Sequence, residues 1–295
     1  MRKQLVKTVE HLLELDERLV LLLGDIGVFG FREGFKNFPN RVYNIGILEG
    51  ATVSLASGLA KSDLIPIVHT IAPFLVERSY EQLKVDFGYQ KLGGNFISVG
   101  ASYDYAALGC THHCPGDIGI LKNIPGMQIL IPGTSDEFNT LFTETYDNKS
   151  PTYFRLSEKE NSKSYEVSFG KANLLKKGND LTVIAFGPVL SCLEKALNEL
   201  DITLIYYTTL FPFDSKTLKD NLSERKKILL IEPFYSGVMF KDVISSCSPV
   251  PVYIDSIGVP IEFLTNYGES HEHDYYIGLT EENIYKKIQT MIDHD

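Results

Sequence analysis

The feature that most constrains this chain is an alternation of short apolar runs with longer stretches of helical period, which occurs in two successive blocks. In the first block, Leu5, Val9, Leu12 and Leu13 share one helical face. The run Leu19–Leu23 follows, with the length of a buried strand, and stops at Gly24-Asp25. Residues 41–45 read as a second strand, 51–60 as a buried helix, 64–68 as a third strand ending at His69-Thr70, and 74–87 as a helix. Further strands fit residues 96–99, 128–131 and 152–156. The stretch from Ser157 to Ser164 holds no apolar residue. It reads as a linker over 158–164 between domains at 1–157 and 165–295. The second block repeats the pattern, with strands at 181–186, 202–207 and 228–231 and a helix at 190–200. Strands alternating with helices predict an α/β chain of two doubly wound domains, which 295 residues accommodate at about 150 residues each.

Several function classes are disfavoured at this stage. A net charge of −10 repels phosphate backbones, so no nucleic-acid partner is expected. No apolar run approaches the roughly 20 residues that span a bilayer, so no membrane partner is expected. The basic Met1-Arg2-Lys3-Gln4 is followed by Glu10, Glu14, Asp16 and Glu17 where a signal peptide would be apolar, which predicts a cytoplasmic protein. Cys110, Cys114, Cys192 and Cys247 are too sparse for a disulfide framework and read as free thiols.

In sheets of this kind ligands bind beyond the carboxyl ends of the strands. Asp25, Glu49 and His69 fall at three such ends, which places the chemistry in the first domain. Glu49 has two readings: a carboxylate favoured by the dipole at a helix start, or a buried functional acid. Its apolar neighbours Ile45, Ile47 and Leu48 lean toward burial. Cys110-Thr111-His112-His113-Cys114 has the look of a metal cluster, but His271 and His273 are the closest remaining pair and their spacing does not fit a zinc finger. The rival readings are a catalytic histidine in a turned loop, or simply polar loop residues. Gly24-Asp25-Ile26-Gly27 lacks phosphate-loop spacing, and residues 269–274 read as a solvated loop.

Taken in order, these pieces resemble the transketolase family, and within it the C-terminal subunit of split, two-chain transketolases. The resemblance covers nearly the whole chain. It rests on Asp25-Ile26-Gly27, on the segment from Phe38-Pro39-Asn40-Arg41 to Leu48-Glu49, and on Ala56-Ser57-Gly58-Leu59-Ala60. It continues through Arg78-Ser79-Tyr80-Glu81-Gln82, Gly109-Cys110-Thr111-His112 and Ile124-Pro125-Gly126-Met127. Phe186-Gly187, Ile231-Glu232-Pro233, Tyr267-Gly268 and Gly278-Leu279-Thr280 carry it into the second block.

The resemblance implies a pyrimidine-binding domain followed by a transketolase C-terminal domain, with thiamine diphosphate and magnesium as cofactors. It makes Glu49 the acid that shares a proton with the cofactor's aminopyrimidine, and His112 the histidine that contacts the sugar and assists proton transfer. Phe74 falls where an aromatic packs on the pyrimidine, Ile71 at a second position usually aromatic, and Asp25 near the thiazolium. Arg78 joins the cofactor-binding set, and His113 and His69 are candidates for the substrate cavity. The implied reaction is two-carbon ketol transfer between sugars. The alternatives are the beta subunit of a 2-oxoacid decarboxylase or dehydrogenase, and a non-catalytic partner that kept the fold. The Gly-Asp-Gly…Asn motif that holds magnesium in the family is not found here. The metal ligands are therefore expected on an N-terminal transketolase-type subunit, in an α2β2 heterotetramer. Leu108, Gly100, Glu158 and Phe29 stand where the family has polar or cationic contacts to a phosphorylated sugar. This leads to the expectation of an atypical sugar, non-phosphorylated or nucleotide-linked, unless Arg2, Arg41, Arg78 or Arg155 compensates.

Overall fold

The structure is a computed structural model that describes residues 1–293. Among the described residues, twelve strands form two sheets. The first block contributes β1 (Leu19–Leu23), β2 (Val42–Asn44), β3 (Ile65–Ile71), β4 (Gly94–Val99), β5 (Gln128–Leu130) and β6 (Pro151–Arg155). The second contributes β7 (Ala172–Lys176), β8 (Leu181–Phe186), β9 (Ile202–Tyr207), β10 (Thr209–Phe211), β11 (Lys227–Tyr235) and β12 (Tyr253–Val259). The sheet orders are β10-β5-β6-β4-β3-β1-β2 and β12-β11-β8-β9-β7. Pairing is parallel throughout except at two edges, where β10 and β7 run antiparallel to their neighbours. The α/β reading of the sequence holds, with two parallel-dominated sheets covered by helices.

The all-buried runs explain the order of the first sheet. β1, β3, β4 and β6 have every residue buried, as strands covered on both faces require. The helix Arg2–Leu15 lays Leu5, Thr8, Val9, Leu12 and Leu13 against one face, the i, i+3, i+4 pattern of an amphipathic helix. Chain direction reverses between β1 and β3: β1 leads outward to β2, and β3 leads the other way to β4. The crevice at the carboxyl ends of β1 and β3 is therefore the topological switch point.

Two local expectations are revised, and the two blocks join at a sheet edge. The helix expected over 74–87 is broken into Ala72–Val76, Tyr80–Gln82 and a π-helical turn, Leu83–Tyr89. Ser79, fully buried, donates its hydroxyl to the carbonyl of Leu75 at 2.5 Å and marks the break. Residues 269–274, expected as a solvated loop, enter a helix, Ser270–Ile277, with a Glu269–Glu272 capping box and a left-handed Gly278 as C-cap. In the second block β10 pairs with β5 of the first sheet, so the blocks share a sheet edge.

Segment 158–164 runs over that seam: Glu158 donates its backbone N–H to Asp104, and Asn161 reaches the carbonyl of Gly187 at 3.1 Å. Beside it lies a buried ion pair. Arg155 Nε meets Asp117 Oδ2 at 2.7 Å, with both side chains almost wholly enclosed. Tyr153 donates to the same carboxylate oxygen at 2.8 Å, and Arg155 also donates to Ser102 and to the carbonyl of Pro233 in β11. Among the described residues no helix is long and apolar enough to cross a membrane. Removing one partner of a buried pair strands the other charge. Asp117→Ala should therefore lower unfolding stability by about 3–5 kcal/mol in urea titration, whereas replacing both partners by apolar residues of like volume should cost far less.

Candidate active site

Loops from the carboxyl ends of β1, β2, β3 and β4 meet at the switch point. Beyond β1, Asp25 takes a positive φ of 59° and exchanges hydrogen bonds with Asn44 at the end of β2, donating its N–H at 3.0 Å and accepting from the amide at 3.0 Å. Gly27, at φ 77°, lies against His69, and a Cβ there would come within 3.3 Å of His69 Nε2. His69 itself is buried at the end of β3. Its Nδ1 lies 2.8 Å from the carbonyl of Ile97, which makes Nδ1–H the donor and leaves Nε2 unprotonated beside the Gly27 turn.

Beyond β2, Glu49 opens the helix Glu49–Lys61 and is 5% exposed. Its two carboxylate oxygens each lie 3.4 Å from Arg78 Nη1, longer than a charge-assisted hydrogen bond prefers. The break after Val76 aims Arg78 back over the Phe74 ring, at 3.7 Å from its centroid. Phe74 in turn meets His112 edge-on at 5.1 Å, and Tyr105 meets the His112 ring edge-on at 6.5 Å. Glu49, Arg78, Phe74 and His112 thus form one connected group. Glu49 is buried, as its apolar surroundings suggested, although of these neighbours only Ile45 packs on the core, Ile47 and Leu48 being 62% and 60% exposed. The acid is enclosed by Arg78 and its own helix while its flanks face outward.

Ile71 is buried beside Gly100 and the ring of Tyr105, whose hydroxyl is buried without a partner. His113, adjacent to His112, turns into the protein and meets His273 at 5.5 Å. Burial and the neighbouring histidines push its ring down to about 4. A cavity of about 330 Å3 brings Arg2 and Lys3 to Val99, Gly100 and Glu158. Arg2 was not singled out by any motif, yet its charge acts on both His69 and Tyr105. Among the described residues no group of three or more His, Cys, Asp or Glu is placed to hold a metal.

An aminopyrimidine ring needs an acid at one edge and an aromatic surface, and Glu49 with Phe74 offers both. Glu49's loosely held carboxylate leaves acceptor capacity for such a ring. The residues present therefore fit the pyrimidine end of thiamine diphosphate.

Comparison with known proteins finds relatives along nearly the whole chain. Residues 1–163 match the family model described as "Transketolase, pyrimidine binding domain". The chain is 34% identical over 288 residues to an "Uncharacterized 33.6 kDa protein in fasciation locus" of Rhodococcoides fascians, covering 97% of this chain and 92% of that one. It is 31% identical over 298 residues to a subunit of the apulose-4-phosphate transketolase of Phocaeicola vulgatus, covering 97% and 95%. Among solved structures, a "Split gene transketolase, inactive beta4 tetramer" superposes with a TM-score of 0.86 at 22% identity, over 99% of this chain and 97% of that one.

The buried imidazole of His69 yields a test of this geometry. Burial pushes it down to about 4, although the Ile97 carbonyl opposes the shift. Its folded value lies below the unfolded one, so between about pH 4 and 6.5 the unfolded chain binds more protons. The stability this group contributes at neutral pH is then lost as pH falls through that window. In a histidine NMR titration His69 should stay neutral, as the Nδ1–H tautomer, down to about pH 4. An imidazole titrating near its ordinary value would contradict the enclosed placement.

Proposed function

The chain belongs to the transketolase family, and on that premise we propose that it is the C-terminal subunit of a two-chain, thiamine-diphosphate-dependent transketolase. The observation that carries this reading is the connected group Glu49–Arg78–Phe74–His112 at the switch point. When bound, thiamine diphosphate supplies the nucleophile and the electron sink for breaking and remaking a carbon–carbon bond beside a ketose carbonyl.

The chain's own residues orient the reacting groups and move protons. Glu49, buried at the start of its helix, would share a proton with the pyrimidine edge. Phe74 offers its ring to the pyrimidine, and Arg78 keeps Glu49 in place. Asp25, fixed by Asn44, faces the thiazolium side. His112, in edge contact with Phe74 and Tyr105, hydrogen-bonds the sugar and passes its proton. His69 and Ile71 are buried at the carboxyl end of β3.

The partner is an N-terminal transketolase-type subunit that supplies the magnesium ligands and the diphosphate half, in an α2β2 assembly working in the cytoplasm. Ile47 and Leu48 just before the Glu49 helix, Leu55 within it and Phe29 beyond β1 are exposed apolar residues, and such residues suit a covering subunit. Arg41 is engaged by the carbonyls of Leu13 and Asp16, Arg78 by Glu49, and Arg155 by Asp117. Of these four arginines that leaves Arg2 with no ion pair among the described residues, in a cavity it shares with Lys3. Glu158 shares its cavity and repels a dianion, which favours a sugar that is not an ordinary phosphate ester.

Two variants test this in the assembled enzyme. Glu49→Gln should cut turnover of a ketose donor by about 10²–10⁴-fold with assembly intact; undiminished turnover would refute the role. Glu158→Arg should raise kcat/KM for xylulose 5-phosphate by about tenfold or more, and an enzyme already preferring that phosphate would overturn the substrate reading.

A further inference from the structure

The loop bearing His112 is gripped at both ends by a segment of the second block that the proposed chemistry leaves unused. At one end, Gly109 has φ 73° and lies so close under Tyr267 that a Cβ would stand 2.7 Å from that ring. At the other, His113 is buried edge-on against His273, whose ring also meets Tyr103 at 5.4 Å. Tyr103 donates to Asp274 at 2.6 Å, and Lys159 binds the other oxygen of the same carboxylate. Glu262, Phe263 and Leu264 close a small cavity with Cys110 and His113 between these anchors.

We propose that His273 and Tyr267 are positioning residues for the transfer reaction: they hold the 109–114 loop, and through it His112, against Phe74. The proposal rests on the transketolase reading for its catalytic consequence, though not for the grip itself. Nε2 of His113 and Nε2 of His273 are both buried without partners, so the contact is made by ring faces and edges rather than by a hydrogen bond. Burial also keeps both rings neutral, pushing His273 below its ordinary value as it does His113. An aromatic ring of similar size should therefore serve at 273, and a methyl group should not. Because the grip comes from the second block, that block reaches the chemistry without touching the reacting atoms.

Cys114, buried at the end of this loop, gives a reporter independent of activity. In the full chain, iodoacetamide labelling of Cys114, followed by peptide mass spectrometry, should be about tenfold faster in His273→Ala and in Tyr267→Ala than in the wild type. His273→Phe should stay within about twofold of the wild type. Cys247, buried on the helix Phe240–Cys247, should stay protected in all of them. In the assembled enzyme, His273→Ala should lower kcat by about tenfold with donor KM nearly unchanged, and His273→Phe should restore it. An unchanged Cys114 rate, Cys247 exposed in step with it, or a Phe variant as reactive as Ala would each overturn the grip. Unchanged kcat in His273→Ala would overturn its catalytic part. A wild-type assembly that turns over no ketose would instead sink the functional reading, and the labelling would still decide whether the loop is held.

Discussion

The buried contact between Arg155 and Asp117 is the constraint on which the rest of the arrangement depends. Arg155 ends β6, and Asp117 begins the short helix Asp117–Leu121 that follows the His112 loop. One guanidinium therefore fixes the exit of that loop. Its other nitrogen reaches Ser102, at the loop's entry, and the Pro233 carbonyl of the second sheet. Cys114 donates its N–H to Ser102 at 2.7 Å, and Tyr235 donates its own to Pro115 at 3.0 Å, so the strands of both blocks close on the same turn. A charge pair so enclosed is a poor source of net stability, because desolvation offsets most of its attraction. Its effect here is geometric: a guanidinium with donors at fixed angles admits one register between sheet, loop and second block.

From that anchor the site follows by short steps. The loop places His112 on Phe74, the break after Val76 turns Arg78 over the same ring, and Arg78 encloses Glu49. The switch point brings the β1 and β3 ends beside this group with Asp25 and His69. On the proposed reading the result is half of a cofactor site, an acid and an aromatic surface for a pyrimidine, while Ile47, Leu48 and Phe29 stay exposed. A covering partner would bury those residues and dry the site, which strengthens every polar contact inside it.

Much of this was legible in the sequence because strand runs and strand-end residues are local signals. Leu19–Leu23 and the run before His69 are apolar enough to be strands in almost any context, and Asp25, Glu49 and His69 mark their ends. What escaped reading depends on distant partners. Ile47 and Leu48 are apolar whether they pack on their own core or await another chain, and composition does not separate the two. β7 and β12 are half-exposed edge strands with polar residues such as Asp255, and β10 is only three residues long, so none carries a strand's alternation clearly. Residues 269–274 read as solvated because they are charged, yet His273 is buried by a contact with His113, 160 positions earlier in a chain that folds back on itself. The Gly268 to Gly278 spacing and the Glu269–Glu272 box were the local signals that could have revealed that helix.

The central claim is that this chain supplies one half of a shared site. The direct measurement is thiamine diphosphate binding by titration calorimetry, with ketol-transfer assays, on the purified chain and on the chain mixed with an N-terminal transketolase-type subunit. The account predicts no tight binding and no turnover by the chain alone, and both on mixing, with a ketose rather than pyruvate as donor. Full activity from the isolated chain, or a mixture that uses only pyruvate, would contradict it.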